Sequence, residues 1–146
     1  MIRKVSALII FIFFIFAAKI FSQSKCEVGK VVRVIDGDTF QLEDGRTVRL
    51  LGIDAPEKNE YYYIEARERL AELIEGKKVC LEKYGKNKDR YGRLLRYIFL
   101  NDQFINLKLV EEGYARVDGP GKYMEKLAKA ENMARNRKIG IWNIIS

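Results

Sequence analysis

Apolar and polar positions follow two regimes along the chain. From Val5 to Ala18 the residues are dense in Ile and Phe and carry no charge, with Arg3-Lys4 before them and Lys19 after. A basic start followed by a short apolar run is the pattern of an export leader. The run is shorter than the roughly 20 apolar residues that a comfortable membrane span requires. Ala17, Ala18, Ser22 and Ser24 offer small residues for cleavage. Residues 1–22 are therefore expected to form a signal peptide and residues 23–146 one domain. The alternative is an uncleaved leader acting as a membrane anchor.

Beyond Gln23 the pattern alternates on shorter periods. Residues 26–35, with Val28, Val31, Val32, Val34 and Ile35, predict a strand, and Asp36-Gly37-Asp38 a turn. A second strand follows over 39–42, a hairpin at Asp44-Gly45, and a third strand over 47–51. Ile64, Leu70, Leu73 and Ile74 recur at helical spacing over 64–75, with Gly76 as the stop. Strands are predicted at 79–81 and 94–100, separated by a polar loop over 87–93. A short helix over 105–112 and a longer one over 122–137 follow, the latter with Met124, Leu127, Ala128, Ala130, Met133 and Ala134 on its apolar side. Ile141-Trp142 is expected to tuck back as a hydrophobic anchor. Five short strands with a helix between the third and fourth suit the partly open Greek-key barrel of the OB-fold, an α+β architecture with three helices.

Charge and composition narrow the chemistry. The whole chain has a net charge of +7, and residues 23–146 hold 24 basic against 20 acidic residues. That surplus favours polyanionic partners. There is no histidine, which excludes Ser-His-Asp and Cys-His catalysis and His-ligated metals. Acid–base work falls to Asp, Glu, Lys, Tyr or a water activated by a metal. Cys26 and Cys80 are the two cysteines; in an exported chain an even pair is expected to be bridged, the alternative being two unpaired thiols. Two cysteines without histidine do not make a zinc site.

Three segments carry candidate chemistry. Asp36-Gly37-Asp38-Thr39 places alternate carboxylates in a turn, although Asp and Gly are also ordinary turn residues. In Arg49-Leu50-Leu51-Gly52-Ile53-Asp54-Ala55-Pro56-Glu57, strand periodicity puts Arg49 on the face of Leu51 and Ile53, an expensive position unless it meets a ligand. Asp89-Arg90-Tyr91-Gly92-Arg93 interleaves basic and aromatic residues, as a phosphate-and-base surface does. Singly, each reads better as an ordinary acidic turn or a solvated loop. Jointly, Asp38, Asp54 and the Ala55 carbonyl are oxygen donors for a hard cation such as Ca²⁺. Arginine forks suit phosphate, and a nearby glutamate can position or deprotonate water.

At these residues the chain closely resembles the staphylococcal nuclease family. The likeness lies in Val34-Ile35-Asp36-Gly37-Asp38-Thr39, in Arg49 through Glu57 and in Asp89 through Arg93. Leu109-Val110-Glu111-Glu112-Gly113-Tyr114-Ala115 and Gly140-Ile141-Trp142 add support. The resemblance implies an OB barrel with three helices and hydrolysis of DNA and RNA at the 5′ P–O bond, leaving 3′-phosphate ends. It implies Asp38 and Asp54 as calcium carboxylates, the Ala55 carbonyl as a backbone ligand and Asp36 as an outer-shell acid. Glu57 takes the position of the general base, and Arg49 and Arg93 those of the phosphate-binding arginines. The expected protein is a secreted or periplasmic monomer with nucleic acid as substrate and no obligate protein partner. A domain that only binds nucleic acid is the rival; the complete catalytic set argues against it. One departure stands out: Asp118-Gly119-Pro120-Gly121 lies where the type member has nucleotide-stacking tyrosines, leaving Tyr123 or Tyr61-Tyr62-Tyr63 as candidate replacements.

Overall fold

The computed structural model describes residues 26–144; the expected signal peptide over residues 1–22 lies outside them. Strand β1 (Glu27–Asp36) pairs antiparallel with β2 (Thr39–Leu42), which pairs with β3 (Thr47–Leu50). The first part of β1 also pairs with β5 (Lys78–Lys88), and β5 with β6 (Leu94–Leu100). Parallel pairing of β3 with β6, Val48 opposite Leu94 and Arg49 opposite Leu95, closes the ring. Two register shifts in β1, between Val31 and Arg33 and between Val34 and Asp36, bend it so that one strand serves both neighbours. The result is a closed five-stranded barrel with helices α1 (Tyr63–Ile74), α2 (Ile105–Glu111) and α3 (Met124–Asn136), the OB-type α+β fold. Two-residue strands β4 (Ile53–Asp54), β7 (Gln103–Phe104) and β8 (Arg116–Val117) complete it.

Alternation decides what fills the barrel. Val31, Phe40, Leu42, Val48, Leu50, Leu81 and Ile98 are almost wholly buried, and burial of this kind contributes roughly 1.5–3 kcal/mol per large side chain. Helix α1 closes one end through Ala66, Leu70, Leu73 and Ile74, an i, i+4, i+7, i+8 stripe. Leu70, Leu73 and Ile74 lie on the face that their spacing predicts, while Ile64 falls off it and is exposed and Ala66 is buried instead. Helix α3 is likewise narrower than its sequence suggests. Leu127, Ala130 and Ala134 are buried, whereas Met124 and Met133 face outward.

Three further contacts place the rim. Glu75 accepts the Val34 N–H at 2.9 Å, tying the end of α1 to β1. Asn106 is fully buried; it accepts the Ile98 N–H at 2.9 Å and donates to the Leu51 carbonyl at 2.8 Å. That satisfied buried amide holds the turn after β3 against β6. A disulfide joins Cys26 to Cys80 across the β1–β5 pair, with Cα atoms 5.5 Å apart. The fourth strand runs to Lys88, well past the 79–81 span predicted, so only Asp89 to Arg93 remains as turn. At the C-terminal end Ile141 donates to the Gly113 carbonyl at 2.8 Å and is buried. Trp142 beside it lies against the guanidinium groups of Arg135 and Arg116.

Candidate active site

The acidic turn is pressed into the barrel rim because residue 37 is glycine. A Cβ there would stand 2.7 Å from the Ala55 methyl and 2.8 Å from that of Ala66, so only glycine lets the turn lie against both β4 and α1. Asp38 is thereby buried, at 5% exposure. Its carboxylate accepts the Ala55 N–H at 2.8 Å and the Thr39 hydroxyl at 2.9 Å. Its own N–H donates to Asp36 at 3.2 Å.

Arg49 occupies the centre. Strand β3 ends at Leu50, and Gly52 turns the chain at a φ of 77° before Ile53. The strict period of two therefore stops at Leu50, and Arg49 does not share a face with Leu51 and Ile53. Its neighbours Val48 and Leu50 point into the core, while Arg49 faces the acids. One terminal nitrogen donates to the Leu50 and Ile53 carbonyls, each at 2.6 Å. The other lies 3.2 Å from Asp54, 3.4 Å from Asp38 and 4.0 Å from Asp118.

The acids outnumber that one cation, and two of them are shifted by burial and by one another. Burial, together with the hydrogen bond and charge of Asp38, pushes Asp36 up to about 6. Asp54 is also raised, first by burial and then by the charge of Asp38, with Asp118 and Glu57 adding to it and Arg49 opposing. Glu57 is exposed beside this group; its main-chain N–H donates to Glu60 at 2.7 Å and leaves its carboxylate to solvent.

Arg93 enters from the neighbouring strand. The parallel register sets Arg49 opposite Leu95, so Arg93 heads β6 on the same side of the barrel. It is held by Asp89, Nε to carboxylate at 2.7 Å, with its N–H on the same residue at 3.0 Å. The structure thus gathers Asp36, Asp38, Asp54, Arg49 and Glu57 into one rim cluster. Arg93 stands on the adjoining strand, paired with Asp89 rather than with the cluster.

Sequence reasoning passed over Asp118 and the holding role of Asp89. Nothing local marks Asp118. It reaches Arg49 only because β4 pairs with β8, Asp54 opposite Arg116, and because its N–H bonds to the Gly52 carbonyl at 3.0 Å. The loop Asp118–Gly121 also has a steric reason for lacking a tyrosine at its end. A Cβ on Gly121 would run into the Tyr97 hydroxyl. Tyr123 is not free to replace a stacking ring: its hydroxyl donates to Glu82 at 2.8 Å and its ring packs on Tyr97 and Phe104. Tyr62 stacks on Tyr114 at 5.5 Å, and Tyr61 is exposed beside it.

Comparison with known proteins places the whole domain. The family described as Staphylococcal nuclease homologue matches residues 47–144. The chain is 38% identical to a thermonuclease of Staphylococcus hyicus, over 78% of this chain and 75% of that protein. It is 36% identical to an uncharacterized endonuclease of Escherichia coli, over 79% and 76% of the two chains. It is also 36% identical to a thermonuclease of Staphylococcus intermedius, over 77% and 74%. By the family match and by these relatives, the chain belongs to the staphylococcal nuclease homologue family.

Proposed function

We propose that this protein is a calcium-dependent nuclease that hydrolyses phosphodiester bonds of DNA and RNA, leaves 3′-phosphate ends and acts outside the cytoplasm. The observation that carries this reading is the single nitrogen of Arg49 within 3.4 Å of both Asp38 and Asp54, beside Arg93 on the next strand. Acids suited to a cation and cations suited to a phosphate meet on one rim.

The donors fit a hard cation. Among the described residues no three acidic or sulfur side chains converge on a metal-sized point, and the set invoked is two carboxylates, a main-chain carbonyl and solvent. Asp36 and Asp54 are raised first by burial and then by the neighbouring Asp38 carboxylate, and a bound cation would offset that cost. Asp38, Asp54 and the Ala55 carbonyl would hold Ca²⁺, with Asp36 outside them. When bound, the ion supplies positive charge against the phosphate and polarises it. Arg49 and Arg93 bind phosphate oxygens and stabilise the charge that grows on them in the transition state. Asp89 keeps the Arg93 fork oriented. Glu57, exposed at the open edge, orients the attacking water or takes its proton. The apolar leader and the Cys26–Cys80 disulfide support an oxidising, extracytoplasmic location.

The test is degradation of single-stranded DNA and of RNA by the purified protein with added CaCl₂, repeated with chelator and with Glu57→Gln. Cleavage that needs calcium and falls by orders of magnitude in the variant supports the reading. Binding without cleavage under those conditions would replace it with that of a nucleic-acid-binding module.

A further inference from the structure

The outer half of β5, the first arm of the β5–β6 hairpin, holds basic residues that the proposed chemistry does not use. Lys83, Lys86 and Lys88 are all exposed, and among the described residues none of them is within ion-pair distance of an acid. The one acid in this stretch, Asp89, is taken by Arg93. Regular pairing with β6 lapses after Lys83 and resumes with Lys88 opposite Leu94, so the hairpin stands out from the barrel and returns to it at Arg93.

The hairpin is fastened rather than loose. Arg96, only 5% exposed, donates to the Asn87 side chain at 2.7 Å and to its carbonyl at 3.2 Å. It has no carboxylate within ion-pair distance among the described residues. A buried guanidinium paired only with neutral oxygens is costly, and here it both fixes the hairpin and adds positive potential beneath it. Tyr84, 45% exposed, presents a ring among the lysines. Lysines along a backbone track with an exposed ring between them are the features of a sequence-tolerant single-strand surface.

We propose that Lys83, Lys86 and Lys88 form a phosphate track for nucleotides flanking the scissile bond of a single-stranded polynucleotide, with Tyr84 stacking on a base. The proposal rests on Arg49 and Arg93 holding the scissile phosphate, since the track begins at Arg93. It assigns the hairpin to affinity for long substrates, separate from turnover.

Fluorescence anisotropy of labelled dT12 and dT2 with chelator, titrated with salt, tests it on the purified protein and on Lys83→Gln/Lys86→Gln/Lys88→Gln. Each neutralised phosphate on a single strand adds about 0.7 to the log–log salt slope, so the triple variant should lose about 2 from the dT12 slope and bind dT12 at least about tenfold more weakly at low salt. Binding of dT2 and the turnover number on a dinucleotide should not change. Tyr84→Ala should weaken dT12 binding without altering the slope. An unchanged slope in the triple variant, or equal losses on dT12 and dT2, overturns the track. If the protein binds dT12 through the lysines but cleaves nothing with calcium, the track stands and the nuclease reading falls. If it cleaves while the slope ignores the lysines, the reverse holds.

Discussion

Arg49 reaches Asp54 at 3.2 Å across the turn that ends β3, and the same nitrogen serves the buried Asp38 at 3.4 Å. The other nitrogen is committed to two main-chain carbonyls. This geometry needs the planar, forked guanidinium, because a lysine ammonium is a point charge without fixed donor directions.

Arg49→Ala should therefore lower the turnover number by about 10²–10³, the usual cost of removing one donor to a transition-state oxyanion. Arg49→Lys should recover little of it. Steady-state kinetics on single-stranded DNA with circular dichroism as a folding control would check both; near-normal turnover in the lysine variant would sink the fork argument.

Calcium should stabilise the fold as well as activate it. A ligand at a hundredfold above its Kd adds about 2.7 kcal/mol to a one-site protein, worth on the order of 10 °C in Tm for a domain of this size. Asp38→Asn and Asp54→Asn should abolish the calcium-dependent rise in thermal melts. Glu57→Gln should retain it, because that residue is assigned to the water and not to the ion.

The Cys26–Cys80 disulfide spans a sequence separation of 54. In the chain-entropy model closing such a loop contributes about 4 kcal/mol, an upper figure where the unfolded chain keeps structure. Cys26→Ser/Cys80→Ser should move the denaturant midpoint down accordingly while leaving turnover at low temperature unchanged. Turnover lost in a still-folded variant would show that the bridge shapes the site.

Arg69 on α1 grips Glu112 after α2 with two bonds, at 2.7 and 3.0 Å. Burial of Glu112 works against its ionisation, but the bonds from Arg69 and Lys108 prevail and hold its carboxyl below the usual glutamate range. A depressed carboxylate contributes stability that is fully present above its unfolded pKa and is lost as pH falls through its folded one. Glu112→Gln should cost on the order of 1 kcal/mol at pH 7, discounted for partial exposure. The deficit should vanish in acid, below the folded pKa. Urea unfolding at the two pH values is the measurement, and an equal deficit at both would assign the effect to packing.

Gly121→Ala should destabilise by about 1–3 kcal/mol through overpacking against the Tyr97 hydroxyl. Tyr97→Phe removes that oxygen and should rescue the alanine variant. Failure of the double variant to recover stability would place the obstacle elsewhere.

Much of the fold was legible because short-range rules govern it. The strands over 39–42 and 94–100 coincide with the alternation that predicted them, and the Asp-Gly hairpin lies where expected. Arg49 shows where such reasoning stops. Its assignment to the face of Leu51 and Ile53 assumed an unbroken strand, and the positive φ at Gly52 breaks the period. Ile64 has the spacing of the apolar stripe of α1 yet is exposed, because spacing alone does not say which side meets the barrel.

The sequence by itself determined the chemistry available: no histidine, acidic and arginine-bearing segments in family order, two cysteines and a basic excess. Those are properties of composition and local spacing, which survive without coordinates. Only the tertiary structure decided which groups meet. Parallel closure of β3 on β6 sets Arg49 beside the strand of Arg93, and pairing of β4 with β8 brings Asp118 to Arg49. Those contacts join residues 46 to 69 positions apart, and no local periodicity encodes a pairing at that distance.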